Sequence, residues 1–200
     1  DWNVRDFERA FNLVDGEYVP LAGPDVNNGG RLPGPFLYFL LAIPLLIHYS
    51  YKSIFFFNFF LNTVSIVGLF FVLKKYIGPT VALLSTIILC IYLPMIGAAG
   101  FPINPAFLFI FITFYFWALL ELVLNKNEKV IPLLVFVIVL GIQIHFSIIT
   151  YILVPIILCI IFRIRPSFKT FLYTFGVCLI CFSPFALYKY KTFQGIDIGE

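Results

Sequence analysis

The sequence predicts an all-α fold, a polytopic transmembrane bundle of about six spanning helices with one further interfacial or re-entrant helix. Of its 200 residues, 62% are hydrophobic and 20% aromatic, and the mean hydropathy is +1.02. Only 12% are charged, about half of the roughly 25% found in soluble domains. Five uncharged tracts of 19 to 45 residues follow position 31, and about 20 apolar residues suffice to cross a membrane. This pattern excludes a soluble enzyme, a nucleic-acid binder and a disordered chain.

We predict that residues 1–31 form an external loop that contains an amphipathic interfacial helix. Within residues 2–14, apolar side chains recur at helical spacing, at Val4, Phe7, Phe11 and Val14. We expect this helix to end near Gly16 and to lie flat on the outer membrane surface. Asp6 and Glu8 are then solvated charges on its other faces.

Residues 32–51 predict a re-entrant or interfacial apolar helix. The tract is uncharged and long enough for a span, but Pro33, Pro35 and Pro44 weaken a straight crossing. The alternative, a full crossing that leaves residues 1–31 in the cytoplasm, stays open.

Residues 52–191 predict the transmembrane bundle, and residues 192–200 predict an external tail. The 45-residue tract Tyr76–Leu120 is long enough for two helices, broken within Gly97–Pro105. The 33-residue tract Val130–Phe162 breaks at Gly141–His145, because polar Gln143 and His145 belong at an interface or cavity rather than in lipid.

The basic residues predict the topology. One set of connections carries Lys74, Lys75, Lys126, Lys129, Arg163, Arg165 and Lys169, whereas the connections near residues 98–105 and 141–146 contain no Lys or Arg. Because cytoplasmic loops carry an excess of Lys and Arg, the first set faces the cytoplasm. The second set and the C-terminal tail then face outward.

Polar side chains from distant stretches of the chain gather on this external side, namely Asp1, Asp6, Asp25, Asn27, Asn28, Arg31, Asn104, Gln143 and His145. Such a gathering is typical of an interfacial active site, and solvated loops that join helices are the alternative. Asp1 is also a natural helix N-cap, and Arg31 could anchor the loop to lipid headgroups. Gln143 and His145 could form a hydrogen-bonded pair between helices.

Two motifs of the external loop are distinctive. Gly16-Glu17-Tyr18-Val19-Pro20 follows Asp1 by 15 residues, and Gly30-Arg31-Leu32-Pro33-Gly34-Pro35 runs into an apolar stretch. Together they resemble the first external loop of GT-C fold glycosyltransferases, in particular the bacterial relatives of protein O-mannosyltransferases and of lipid A aminoarabinose transferases. In that family the acidic residue follows the first membrane helix. The resemblance therefore implies that the chain is a fragment lacking this helix.

The resemblance implies transfer of a sugar from a polyprenyl-phosphate-linked donor to an envelope glycan, lipid or protein acceptor, within a bacterial inner membrane and at its periplasmic, external face. It implies Asp1 as the catalytic base of an inverting reaction. Substrate binding then falls to Arg31, Asn104, Gln143, His145 and Lys52. The cofactor stays open; a divalent cation, if one is used, would be held by Asp1. The family usually carries Asp-Glu where this chain has Asp1-Trp2, and often a second acidic residue where it has Asn104. Membrane lipid is the other expected partner, and no nucleic acid is expected.

Two further functions compete with this prediction. A transporter or flippase of lipid-linked substrates would place ionisable groups at mid-membrane on broken helices, whereas the centres of these tracts are almost purely apolar. A non-catalytic membrane assembly subunit predicts that the external loops tolerate substitution.

Overall fold

The computed structural model describes residues 2–26 and 29–196, with side chains from Val4 onward. Nine α-helices and one short hairpin make up the described part of the chain: α1 (Trp2–Val14), β1 (Asp25–Val26), β2 (Gly30–Arg31), α2 (Phe36–Ile47), α3 (Tyr51–Tyr76), α4 (Pro79–Ile91), α5 (Leu93–Gly100), α6 (Leu108–Leu124), α7 (Ile131–Ile144), α8 (Leu153–Ile161) and α9 (Phe168–Phe193). Short 3₁₀ turns precede α6, α7 and α8, at Asn104–Phe107, Glu128–Val130 and Phe146–Ile152. The predicted all-α membrane bundle is confirmed.

Fewer helices than expected are long enough to cross a membrane. Within the described residues, three pass by length and composition, namely Tyr51–Tyr76, Asn104–Leu124 and Phe168–Phe193. The α4–α5 pair makes a fourth if its 63° bend is counted inside one span. The tract Val130–Phe162 is divided after Ile144, so that α7 has only 14 residues and extends about 21 Å. The described residues therefore contain fewer spanning helices than the expected six or so, because breaks shorten the later helices.

The bundle has two chemically different ends. One end, here called the basic end, carries Lys74, Lys75, Lys126, Lys129, Arg163 and Arg165. The Lys75 ammonium lies there 2.9 Å from the Glu121 carboxylate. At the opposite end, here called the loop end, α1, the hairpin and the connections around residues 98–107 and 143–147 meet. There the Asn58 amide donates to the Ala98 carbonyl at 2.7 Å. The connections group as their charges predict, and the membrane side that each end faces stays a prediction.

Helix α1 packs on α2 at the loop end. Phe7 and Ala10 are buried, and the Phe11 ring lies 4.7 Å from both Tyr49 and Tyr51. The apolar face of α1 therefore meets protein. With 12 residues, α2 extends about 18 Å, too short for a hydrocarbon core of about 30 Å. Tyr38 near its start and Tyr49 just after its end contact α1, and the interfacial placement of residues 32–51 stays a prediction.

Buried amides join α3 to the segment before α6. Asn58 and Asn62 are fully enclosed, and the Asn62 amide donates to the Ala106 carbonyl at 3.2 Å. One turn further along, the Thr113 hydroxyl donates to the Ser65 carbonyl at 3.1 Å. Such interhelical hydrogen bonds fix the register of packed membrane helices. They hold the connection that carries Asn104 at the loop end.

Candidate active site

A cavity of about 580 Å³ opens at the loop end. Its walls come from α1, the hairpin, the segment before α6 and the C-terminal end of α7. Its polar lining consists of Arg5, Asp6, Asp25, Arg31, Asn104 and His145. Four segments that are far apart in sequence thus bring two carboxylates, two guanidiniums, an amide and an imidazole around one space.

The hairpin places Arg31 beside Asp25. The two residues are paired across the antiparallel strands, and the Arg31 Nε donates to the Asp25 carboxylate at 3.0 Å. The turn that closes the hairpin uses Gly29 at φ +80°, a conformation that glycine adopts without a steric penalty. Gly23 lies so close to the Gly34 carbonyl that a Cβ there would approach it to 2.5 Å. The hairpin base is thus held tightly against the start of α2.

Three arginines surround Asp25. Its carboxylate accepts from Arg5 as well as Arg31, and Arg9 lies 3.7 Å away. Arg5 also reaches Asp6, at 3.3 Å. Among the described side chains of this cluster, three guanidiniums lie close to two carboxylates. Planar guanidiniums held in fixed positions are suited to binding phosphate through paired hydrogen bonds.

Asp6 is the most deeply buried charged group at the cavity. It is 1% exposed, and its carboxylate accepts from the Tyr38 hydroxyl, the Asn104 amide and Arg5, each at 3.3 Å. Burial raises the pKa of Asp6 above its usual value, against the opposing effect of these donors. The prediction that Asp6 is a solvated charge is therefore wrong. Glu8 of the same helix is exposed, as expected.

The buried stripe of α1 explains this error. Asp6, Phe7 and Ala10 are its most buried residues. The buried face of the helix is therefore rotated toward position 6, away from the face that the large apolar side chains of α1 predict. Ala10, one turn after Asp6, is the sequence signal for this rotation, because a small residue permits close helix packing. Tyr38 on α2 is a second missed residue. It is 1% exposed, and its hydroxyl accepts from Arg9 at 2.8 Å.

Three of the predicted binding residues meet at this cavity. Arg31, Asn104 and His145 all line it. The His145 backbone ends α7, and its ring Nδ1 lies 2.8 Å from the Ser147 hydroxyl. Their roles in binding stay predictions, but the structure brings them to one place.

Gln143 and Lys52, which are also predicted to bind substrate, do not line this cavity, and their role in binding stays a prediction. Gln143 is 2% exposed; its amide oxygen accepts from the Phe36 backbone at 3.2 Å, and its amide nitrogen donates to the Cys181 carbonyl at 2.9 Å. It therefore ties α7 to α2 and α9 and does not pair with His145. Lys52 is exposed on a separate cleft beside the α2–α3 turn, because α3 begins at the far end of α2.

The predicted base, Asp1, lies outside the described residues, as do Asn27 and Asn28. In the described ranges, no group of three or more His, Cys, Asp or Glu side chains is arranged to hold a metal ion. The role of Asp1 and the divalent cation left open above therefore stay predictions.

Comparison with known proteins agrees with the GT-C resemblance. A family profile described as dolichyl-phosphate-mannose-protein mannosyltransferase matches residues 33–188. No curated protein and no solved structure matches the chain. The matched range covers α2 to most of α9, and α1 and the hairpin precede it. This protein is an integral, multi-pass membrane glycosyltransferase of the mannosyltransferase type, which favours this function over the transporter and assembly-subunit alternatives. The chain belongs to the dolichyl-phosphate-mannose-protein mannosyltransferase family.

Proposed function

We propose that this protein transfers a sugar from a polyprenyl-phosphate carrier to an envelope acceptor at the external membrane face, and that the reaction takes place in the loop-end cavity. One observation carries the proposal. Arg5 and Arg31, held by carboxylates, and the buried carboxylate Asp6 line the same cavity at one end of an apolar helical bundle.

The donor suits the layout of this end. Its isoprenoid chain is apolar and stays in the bilayer, so the protein must bind its phosphate and sugar at the membrane surface. Three guanidiniums lie close together there, and Arg31 is mostly buried, with its side chain 15% exposed. A guanidinium fixed by Asp25 needs little reorganisation when negative charge develops on the leaving phosphate. Asn104 and His145 line the same cavity, and we propose that they bind the sugar.

The reaction needs a base. The acceptor hydroxyl attacks the anomeric carbon, the bond from that carbon to the phosphate oxygen breaks with its electron pair on the oxygen, and configuration inverts. A carboxylate takes the hydroxyl proton. Asp1 is the base that the family resemblance implies. Asp6 is one of the two carboxylates that line the cavity, and the other, Asp25, is bound by Arg5 and Arg31. The raised pKa of Asp6 makes it a stronger proton acceptor than an exposed aspartate.

Sugar transfer by the full-length protein in proteoliposomes tests the proposal, with a radiolabelled mannosyl polyprenyl phosphate as donor and envelope lipid extract as acceptor. Asp1→Asn and Asp6→Asn are compared with Glu8→Gln, a matched change at an exposed carboxylate of the same helix. We expect Glu8→Gln to retain transfer and at least one aspartate variant to lose it while inserting normally. Full transfer by both aspartate variants would refute a carboxylate base in this region.

A further inference from the structure

A second, larger cavity lies between α7, α8 and α9. Its volume is about 850 Å³, within the range of about 300–1,000 Å³ that is usual for ligand sites. Its lining is aliphatic along most of its length, and Arg163 and Arg165 lie at its basic end. We infer that this cleft binds one acyl chain of an anionic phospholipid, whose headgroup phosphate is held by Arg163 and Arg165.

The dimensions of the cleft match one leaflet. Along α7 it is lined from Ile131 at the basic end to Ile142, a rise of about 17 Å. Half of a hydrocarbon core of about 30 Å is about 15 Å. An acyl chain whose headgroup lies at the basic end would therefore fill the cleft and end near the middle of the membrane.

The cleft exists because α8 does not close it. None of the α8 residues is buried, and Ile156 and Ile160 are 50% and 71% exposed although they border the cavity. On the facing helix, Leu134 and Ile138 are enclosed. One wall is therefore packed into the bundle, and the other leaves aliphatic side chains free to contact a lipid chain.

The charges select the headgroup. Across residues 2–26 and 29–196, neither Arg163 nor Arg165 forms a salt bridge or a side-chain hydrogen bond, and both are exposed. The neighbouring carboxylate, Glu128, accepts a hydrogen bond from the Ser167 backbone instead, which lowers its pKa. Two uncompensated guanidiniums beside an apolar cleft complement a lipid phosphate with a net negative charge. Basic pockets between helices at the cytoplasmic side bind anionic headgroups in this manner.

The position of the cations separates this site from that of the sugar donor. The cleft carries its cations at the basic end, whereas the loop-end cavity carries Arg5 and Arg31 at the opposite end. The inference therefore stands independently of the proposed function.

Native mass spectrometry of the full-length protein tests this site, with dioleoyl phosphatidylglycerol and dioleoyl phosphatidylcholine added separately. The double variant R163Q/R165Q is compared with K126Q/K129Q, which removes two charges at the same end outside the cleft. We expect phosphatidylglycerol to bind more tightly than phosphatidylcholine, and R163Q/R165Q to weaken its binding roughly 25-fold, since each arginine contributes about fivefold near a lipid surface. K126Q/K129Q should weaken it less than threefold. Equal losses in the two double variants, or no preference between the lipids, would overturn the inference.

A phosphatidylglycerol with a diazirine in its acyl chain gives a second readout that does not depend on any variant. Crosslinks should fall in residues 152–165 and 174–182, which form the α8 and α9 walls. The exposed helix α4, which contains Cys90, serves as the internal reference for labelling by bulk lipid. If another segment of the full-length chain occupied the cleft, these walls would be labelled no more than α4, and the inference would be refuted.

Discussion

The two large cavities of this protein differ in whether their arginines are paired with carboxylates. At the loop end, Arg5, Arg9 and Arg31 are held by Asp25, and residues from four distant segments line the space. In the α7–α9 cleft, the lining comes from residues 131–182 and its two arginines have no carboxylate partner within the described parts of the chain. Fixed, compensated charges favour chemistry, because they need not reorganise in the transition state. Uncompensated charges beside an apolar space favour binding of an anionic amphiphile.

This difference has an energetic consequence. Truncating one partner of the loop-end network leaves other buried polar groups without hydrogen bonds, at a cost of about 1–3 kcal/mol for each group. Exposed arginines at the cleft change stability by only about 0.5 kcal/mol. Substitutions at the loop end should therefore affect both activity and folding, and those at the cleft mainly lipid binding.

The largest expected effect is on the chemical step. Asp6→Asn should lower kcat for sugar transfer by about 10²–10⁴-fold, the usual contribution of a general base, with a smaller change in the donor KM. Steady-state kinetics in proteoliposomes measure both, and Glu8→Gln is the control. A variant that changes only KM would place Asp6 in binding rather than in proton transfer.

A pair of glycines compares the two ends directly. Gly34 at the loop end and Gly78 at the basic end have φ +135° and φ +129°, so alanine strains both backbones, by about 1–3 kcal/mol. An added Cβ at Gly34 would lie 2.2 Å from the Gln143 amide oxygen, whereas the one at Gly78 meets open space.

We therefore expect Gly34→Ala to destabilise the protein by at least about 2 kcal/mol more than Gly78→Ala, through overpacking and loss of the Gln143 hydrogen bonds. Thermal unfolding of the two purified variants gives the comparison. Equal melting temperatures would show that Gln143 does not hold α2 against α7.

Arginine geometry should matter at the cavity. Arg31→Lys keeps the charge but loses the planar fork that binds Asp25 and a phosphate together. The donor KM should rise about tenfold, corresponding to one charge-assisted hydrogen bond of about 1.5 kcal/mol. Lys52→Arg is the control, because Lys52 lies on a separate cleft. An unchanged KM in Arg31→Lys would remove this guanidinium from donor binding.

The smallest effect is a shift in pH dependence. Burial raises the pKa of Asp6. As the pH falls, the Asp6 carboxylate should therefore be protonated, and kcat/KM should decline, at a higher pH than it would with an ordinary aspartate. The effect on folding has the opposite sign: the stabilising contribution is complete below the unfolded-state pKa and is lost as pH rises through the folded-state pKa. A pH series of kcat/KM and of melting temperature tests both directions. If the residual activity of Asp6→Asn shows the same decline of kcat/KM at low pH, that decline belongs to the titration of another group.

Local sequence patterns predicted much of the architecture, and tertiary packing decided the rest. The break that ends α7 falls at Ile144, beside His145, because polar residues and a glycine interrupt the apolar tract there. The α4–α5 bend begins earlier than expected, at Tyr92 before Pro94, because proline disfavours a continuous helix. Arg31, Asn104 and His145 line one cavity, and the sequence indicated this because their connections are predicted to share one side of the membrane.

The errors involve partners that no local pattern contains. Asp6 is buried because Tyr38 and Asn104, 32 and 98 residues away, supply its hydrogen bonds. Gln143 is taken out of the cavity by backbone groups of α2 and α9. A polar residue at the correct end of a helix can thus serve either chemistry or packing, and the sequence alone did not separate the two.

The most direct test of the account is where the donor binds. A mannosyl polyprenyl phosphate with a photoreactive group beside its phosphate can be crosslinked to the full-length protein in proteoliposomes, and the labelled peptides identified by mass spectrometry. We expect labelling of the loop end, at residues 24–33, 103–105 and 144–147, with loss of this labelling when unlabelled donor competes. Competable labelling confined to residues 163–166 at the basic end would contradict it.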